Sequence, residues 1–68
     1  MVEVKVPQKV LDGIIAVRDS GLTNMLDRPM VAKLARRMGF EEAAEWVRAE
    51  PKAYAEGVFH GFAPQEGH

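Results

Sequence analysis

Sixty-eight residues allow one small domain and no second one. Hydrophobic residues at 47% and charged residues at 28% give an ordinary globular balance that argues against disorder. The absence of Cys excludes a disulfide framework, a thiolate metal site and a thiol nucleophile. A formal net charge of −1 makes the chain as a whole a poor electrostatic match for DNA or anionic lipid. No apolar run approaches the ~20 residues of a membrane span, and no signal-like apolar region follows the N-terminal Met. The expectation is a soluble cytoplasmic protein with no membrane partner. A domain of this size buries only about 60% of its unfolded surface, so association with a second copy is one common remedy.

Residues 2–6 alternate strictly, with Val2, Val4 and Val6 on one face of an extended segment that Pro7 terminates. No later stretch shows a matching strand pattern. Two readings follow: an arm resting on the helices, or an edge that pairs with another chain and makes Val2, Val4 and Val6 a dimer strand.

Pro7 sits well in the first turn of a helix running to about Ser20, with Val10, Leu11, Ile14, Ile15 and Val17 inward and Lys9, Asp12 and Arg18 outward. Gly13 inside that helix costs ~1 kcal/mol relative to Ala, which suggests a close helix crossing. Gly21 is a natural stop, with Leu22 placed to pack back over the last turn. Asp27 and Pro29 then open a second helix over about 28–38, burying Met30 or Val31, Leu34, Ala35 and Met38. After Gly39, a third helix covers about 40–49, with Phe40, Ala43, Ala44, Trp46 and Val47 apolar and Glu41 and Glu42 complementing the helix dipole. Pro51 ends it and opens a fourth helix to about His60, packing Tyr54, Ala55, Val58 and Phe59. Gly61 caps that helix and Phe62 folds back. The expected fold is mainly α: a compact bundle of three to four helices over residues 7–62, a short extended N-terminal arm over 1–6 and a flexible tail over 63–68.

Charge is segregated along this chain. Residues 28–37 carry Arg28, Lys33, Arg36 and Arg37 without an acid, whereas residues 41–50 hold Glu41, Glu42, Glu45 and Glu50 against Arg48. Solvated faces that partly neutralise each other are the plain account. The functional one is a basic patch for an anion or a phosphate backbone, or a docking surface for a protein of opposite pattern. The run from Leu34 to Phe40 resembles a helix-turn-helix, but its second helix would present Glu41, Glu42 and Glu45 to DNA. An αα-hairpin used for packing is the better account.

The stretch 20–28, Ser-Gly-Leu-Thr-Asn-Met-Leu-Asp-Arg, is the most unusual. Its side chains suit turn chemistry, a helix stop followed by an N-cap. Alternatively, Thr23, Asn24, Asp27 and Arg28 form a binding loop for an anionic ligand at the start of a basic helix. Signals for catalysis are poor. His60 and His68 have no metal-ligand spacing, Ser20 lies outside any nucleophile motif, and no Gly-rich phosphate loop is present. The aromatic and Met residues fall at core spacing rather than in a cofactor box. No enzyme activity, metal or cofactor is expected.

Taken together, Lys9-Val10-Leu11, the string from Ala16 to Asp27 with its Ser-Gly-x-Thr-Asn-Met-x-Asp core, Met30-Val31, Gly39-Phe40 and Tyr54 resemble a small uncharacterised family. It is a domain of unknown function frequent in phages and prophages of Gram-positive bacteria. The resemblance spans about residues 7–62; Leu26 and the Ala-rich third helix with Trp46 depart from its pattern. It implies a phage or mobile-element product acting in host cytoplasm and brings no activity or catalytic residue. The leading expectation is a non-enzymatic interaction module that binds a host or phage protein, with a homodimer through Val2, Val4 and Val6 as one of the two open readings of its N-terminal segment. The alternatives are a small nucleic-acid-binding regulator using the basic second helix, and sequestration of a small anionic nucleotide.

Overall fold

A computed structural model describes residues 2–65. The chain runs β1 (Val4–Val6), α1 (Gln8–Ser20), α2 (Arg28–Arg37), α3 (Glu41–Ala49), α4 (Pro51–His60) and β2 (Phe62–Pro64). It is mainly helical, as the periodicity indicates, and the helix ends fall within a residue or so of the sequence punctuation. Pro7 precedes α1, and Gly21 closes it in the left-handed region at φ 67°. The Asp27 carboxylate accepts from the Met30 amide at 3.4 Å and caps α2, with Pro29 in the first turn. Gly39, at φ 91°, makes the turn from α2 to α3. There the Phe40 amide donates back to the Ala35 carbonyl at 2.8 Å, so the two helices form a tight αα-hairpin.

One core joins all these elements. Val6, Val17, Val31, Ala43, Ala44 and Val47 are fully enclosed, with Val10, Ile14, Ala35 and Tyr54 nearly so. The stripe of α1 is the one its spacing predicts. Gly13 is buried in it because α3 crosses there: a Cβ at Gly13 would collide with the Ala43 methyl and approach the Phe40 Cβ to 2.8 Å.

Five expectations need correction. β1 does have a partner within the chain: β2 pairs with it in parallel, Val4 opposite Phe62 and Val6 opposite Pro64. Ala63 and Pro64 therefore belong to a strand rather than a flexible tail, and residues 66–68 of that tail, with His68, lie outside the described residues. On α2 the buried positions are Val31, Ala32, Leu34 and Ala35, while Met30 and Met38 are exposed. α3 meets α2 along the Val31–Ala35 side, which turns both Met residues outward. On α4 the inward residues are Tyr54 and Gly57, with Val58 half-buried, while Ala55 and Phe59 are exposed. The ring of Phe62 causes this. It lies directly over Gly57, meets Trp46 edge-on with centroids 6.0 Å apart and stands 5.8 Å from the ring of Tyr54. Phe62 thus folds back as expected, but as the first residue of a strand. Leu22, finally, does not pack over α1 and is 66% exposed.

The α1–α3 crossing gives a direct test. Ala at position 13 would gain ~1 kcal/mol of helix propensity, but it overpacks the crossing at a typical cost of about 1–3 kcal/mol. Gly13→Ala should therefore unfold at lower temperature, by roughly 4–8 °C for each kcal/mol lost. A melting temperature equal to or above that of the parent would show that α3 can move away freely.

Candidate functional site

The α1–α2 loop holds most of its polar groups in its own turns. The Ser20 hydroxyl donates to the Val17 carbonyl at 2.6 Å and accepts from the Leu22 amide at 3.2 Å. Asn24 Oδ1 accepts from the Leu26 amide at 2.8 Å, and its carbonyl accepts from the Asp27 amide at 2.9 Å. With Asp27 on the α2 cap, a carboxylate stands where an anion would sit on the helix N-terminus. Two long-range bonds fix the loop from outside. The buried Tyr54 hydroxyl donates to the Met25 carbonyl at 2.6 Å, 29 positions away in the chain. Arg28 Nη1 donates to the carbonyls of Val47 and Arg48 at 3.2 and 3.3 Å, closing the C-terminal end of α3. Thr23, Asn24, Asp27 and Arg28 thus lie close in sequence but point to separate tasks, and Thr23 forms no side-chain hydrogen bond among the described residues.

The basic residues are arranged differently. Arg28, Lys33 and Arg36 line one shallow open depression between α2 and α3, with Pro29 and Ala32 forming its floor. Arg37, the fourth residue of the sequence run, does not line it. Its place is taken by Arg48 from α3, which counting charge along the chain assigns to the acidic block. A helical reading of α3 offers the signal: Glu45 and Arg48 are three apart and share a face. Among the described residues Glu45 is the single carboxylate within the cluster, accepting from Arg36 Nη2 at 2.9 Å and standing 3.7 Å from Arg48 Nη1. All these side chains are more than half exposed, so the pairs hold geometry more than they add stability. Lys33 pairs with no carboxylate among the described residues.

A second concavity is apolar. Leu11, Ile14, Ile15, Met25, Val58 and Phe62 line a cavity of about 180 Å³ with Arg18 at its mouth. That is below the ~300 Å³ of an ordinary small-molecule site and suits a single side chain. The exposed Leu22 and Leu26 flank Met25 in the loop beside it. Of the proposed dimer residues, Val6 is in the core, Val4 is half-buried and Val2 is 82% exposed. Among the described residues, no three acidic or His side chains stand together as a metal site would require. No helix there is long and apolar enough to cross a membrane.

Residues 6–61 match the family described as Domain of unknown function (DUF5049). The chain belongs to this family. The match spans the helical body from the buried Val6 to the α4 stop at Gly61, including the tethered loop and the α2–α3 hairpin. No curated protein and no solved structure matches the chain.

The Tyr54 tether has a pH signature. Burial pushes its hydroxyl from 10.0 up to about 12. The unfolded chain loses this proton near pH 10 while the folded chain keeps it, so the folded state binds more protons in that window. Stability should be complete below pH 10 and fall as pH rises from 10 toward 12. Tyr54→Phe should remove that slope and cost about 1 kcal/mol at neutral pH. Denaturant titrations across pH 9–12 would check both, and an identical slope in the variant would assign the effect elsewhere.

Proposed function

We propose that the chain is a non-enzymatic interaction module whose working surface is the basic depression between α2 and α3, and that its partner is a protein presenting an acidic segment. The supporting observation is the convergence of Arg28, Lys33 and Arg36 from one helix with Arg48 from the next around a small apolar floor. Carboxylates fit this geometry well. Arg guanidinium groups take them in fork-like pairs, and the Ala32–Pro29 floor accepts an apolar neighbour. Glu45 already occupies two of the cations, so a partner carboxylate would replace an existing ion pair and gain mainly from register and approach. In the phage or prophage setting that the family resemblance implies, the partner is a host or phage protein in host cytoplasm.

A nucleic-acid backbone is the second reading, favoured by the same four cations. Against it stand Glu45 inside the cluster, Glu41 and Glu42 on the same helix, and a net charge of −1.

A labelled oligo-glutamate peptide and a labelled single-stranded oligonucleotide distinguish the two in fluorescence anisotropy. The peptide should bind in a salt-sensitive manner. Lys33→Ala with Arg48→Ala should weaken it at least roughly tenfold, about 1.4 kcal/mol, while Arg37→Ala leaves it unchanged. Binding of the oligonucleotide alone would select the second reading, and binding of neither would overturn the assignment of this surface.

A further inference from the structure

The two-stranded sheet has edges of unequal character. The Val4 amide donates to the Gly61 carbonyl at 3.0 Å, and the Val6 carbonyl accepts from the Gln65 amide at 2.7 Å. The backbone groups of Val4 and Val6 therefore face β2, and by strand alternation those of Glu3 and Lys5 face the other way. On the far side of the sheet, the residues of β2 turned away from β1 are Phe62 and Pro64, and Pro64 has no N–H to offer. The outer edge of β2 thus offers a single amide, that of Phe62, whereas the edge of β1 offers those of Glu3 and Lys5, each with its carbonyl. Glu3 and Lys5 are exposed on it, and among the described residues neither forms an ion pair. Val2, just beyond, exposes 82% of its surface.

We propose that this edge pairs with the same edge of a second copy of the chain, antiparallel and centred on Val4, joining two small sheets into one across a two-fold axis. The occupant follows from charge. With Val4 opposite Val4, Glu3 of each copy lies directly opposite Lys5 of the other, so the edge is complementary to itself. The outward amides and carbonyls of these two residues then bond to one another. A register centred on Glu3 would oppose Glu3 to Glu3, and one centred on Lys5 would oppose Lys5 to Lys5. A shift by a single residue would match outward backbone groups with ones already engaged to β2. The contact is short, so association is weak and reversible.

Sedimentation velocity of the full chain up to about a millimolar, the range in which small interfaces associate, tests this. The parent chain should show a monomer–dimer equilibrium. Glu3→Lys alone and Lys5→Glu alone should each weaken it at least tenfold, because each places like charges opposite each other. An equimolar mixture of the two single variants should restore association, as should the double variant Glu3→Lys/Lys5→Glu. Circular dichroism checks that these exposed changes leave the helices intact. A parent chain that stays monomeric throughout overturns the proposal. So do single variants that associate like the parent, or a mixture that fails to recover what the single variants lost.

Discussion

Gly13 has no side chain, and the Ala43 methyl and the Phe40 stem occupy the space one would take. That close approach decides where α3 lies, and much else depends on α3. It is the helix that touches both α1 and α2, and its inward residues Ala43, Ala44 and Val47 are completely enclosed. Two Ala methyls and one Val make a thin helix face, which fits a crossing so near to α1. Had α3 been held further out by a Cβ at Gly13 while α2 kept its own contact with α1, α3 would move relative to α2. Arg48 would then leave the neighbourhood of Arg28 and Arg36. The basic depression is, in this sense, set by a glycine on the opposite side of the core.

The α1–α2 loop shows a related economy of side chains. Its internal hydrogen bonds shape the turn, but Tyr54 and Arg28 decide where the turn sits. Both reach backbone carbonyls, so they fix the path of the chain whichever side chains the loop carries. A buried phenol bound to a carbonyl is a satisfied group in a dry place, which is why its proton is held so tightly. The same tether holds Met25 at the wall of the small apolar cavity, with Leu22 and Leu26 left facing outward.

Legibility in the sequence followed local punctuation. α4 runs Pro51–His60, as Pro51 and Gly61 indicate, and the inward stripe of α1 follows its spacing. The misassignments have a common cause in contacts that no window of sequence contains. Phe59 reads as core until Phe62 is known to fill the slot over Gly57, and Met30 and Met38 read as core until α3 is known to lie along Val31 and Ala35. β2 shows no alternation, is three residues long and ends in Pro, so nothing in Phe62-Ala63-Pro64 announces a strand. Only the proximity of Val4, more than fifty positions earlier, makes it one. Arg48 was hidden by counting charge along the chain rather than around a helix. Three of the four cations of the depression were legible, and the fourth required the hairpin.

The parallel pairing of β1 with β2 also gives the domain a mechanical character. The chain enters at the start of β1 and leaves at the end of β2, and the two strands point the same way. A force applied to the two ends therefore slides the strands past each other, and the bonds at Val4 and Val6 are loaded together rather than opened one after another. If such a domain is threaded by an unfolding machine from either end, the first resistance it meets is this clamp. The helices behind it, held mostly by non-directional burial, would yield only after it has sheared.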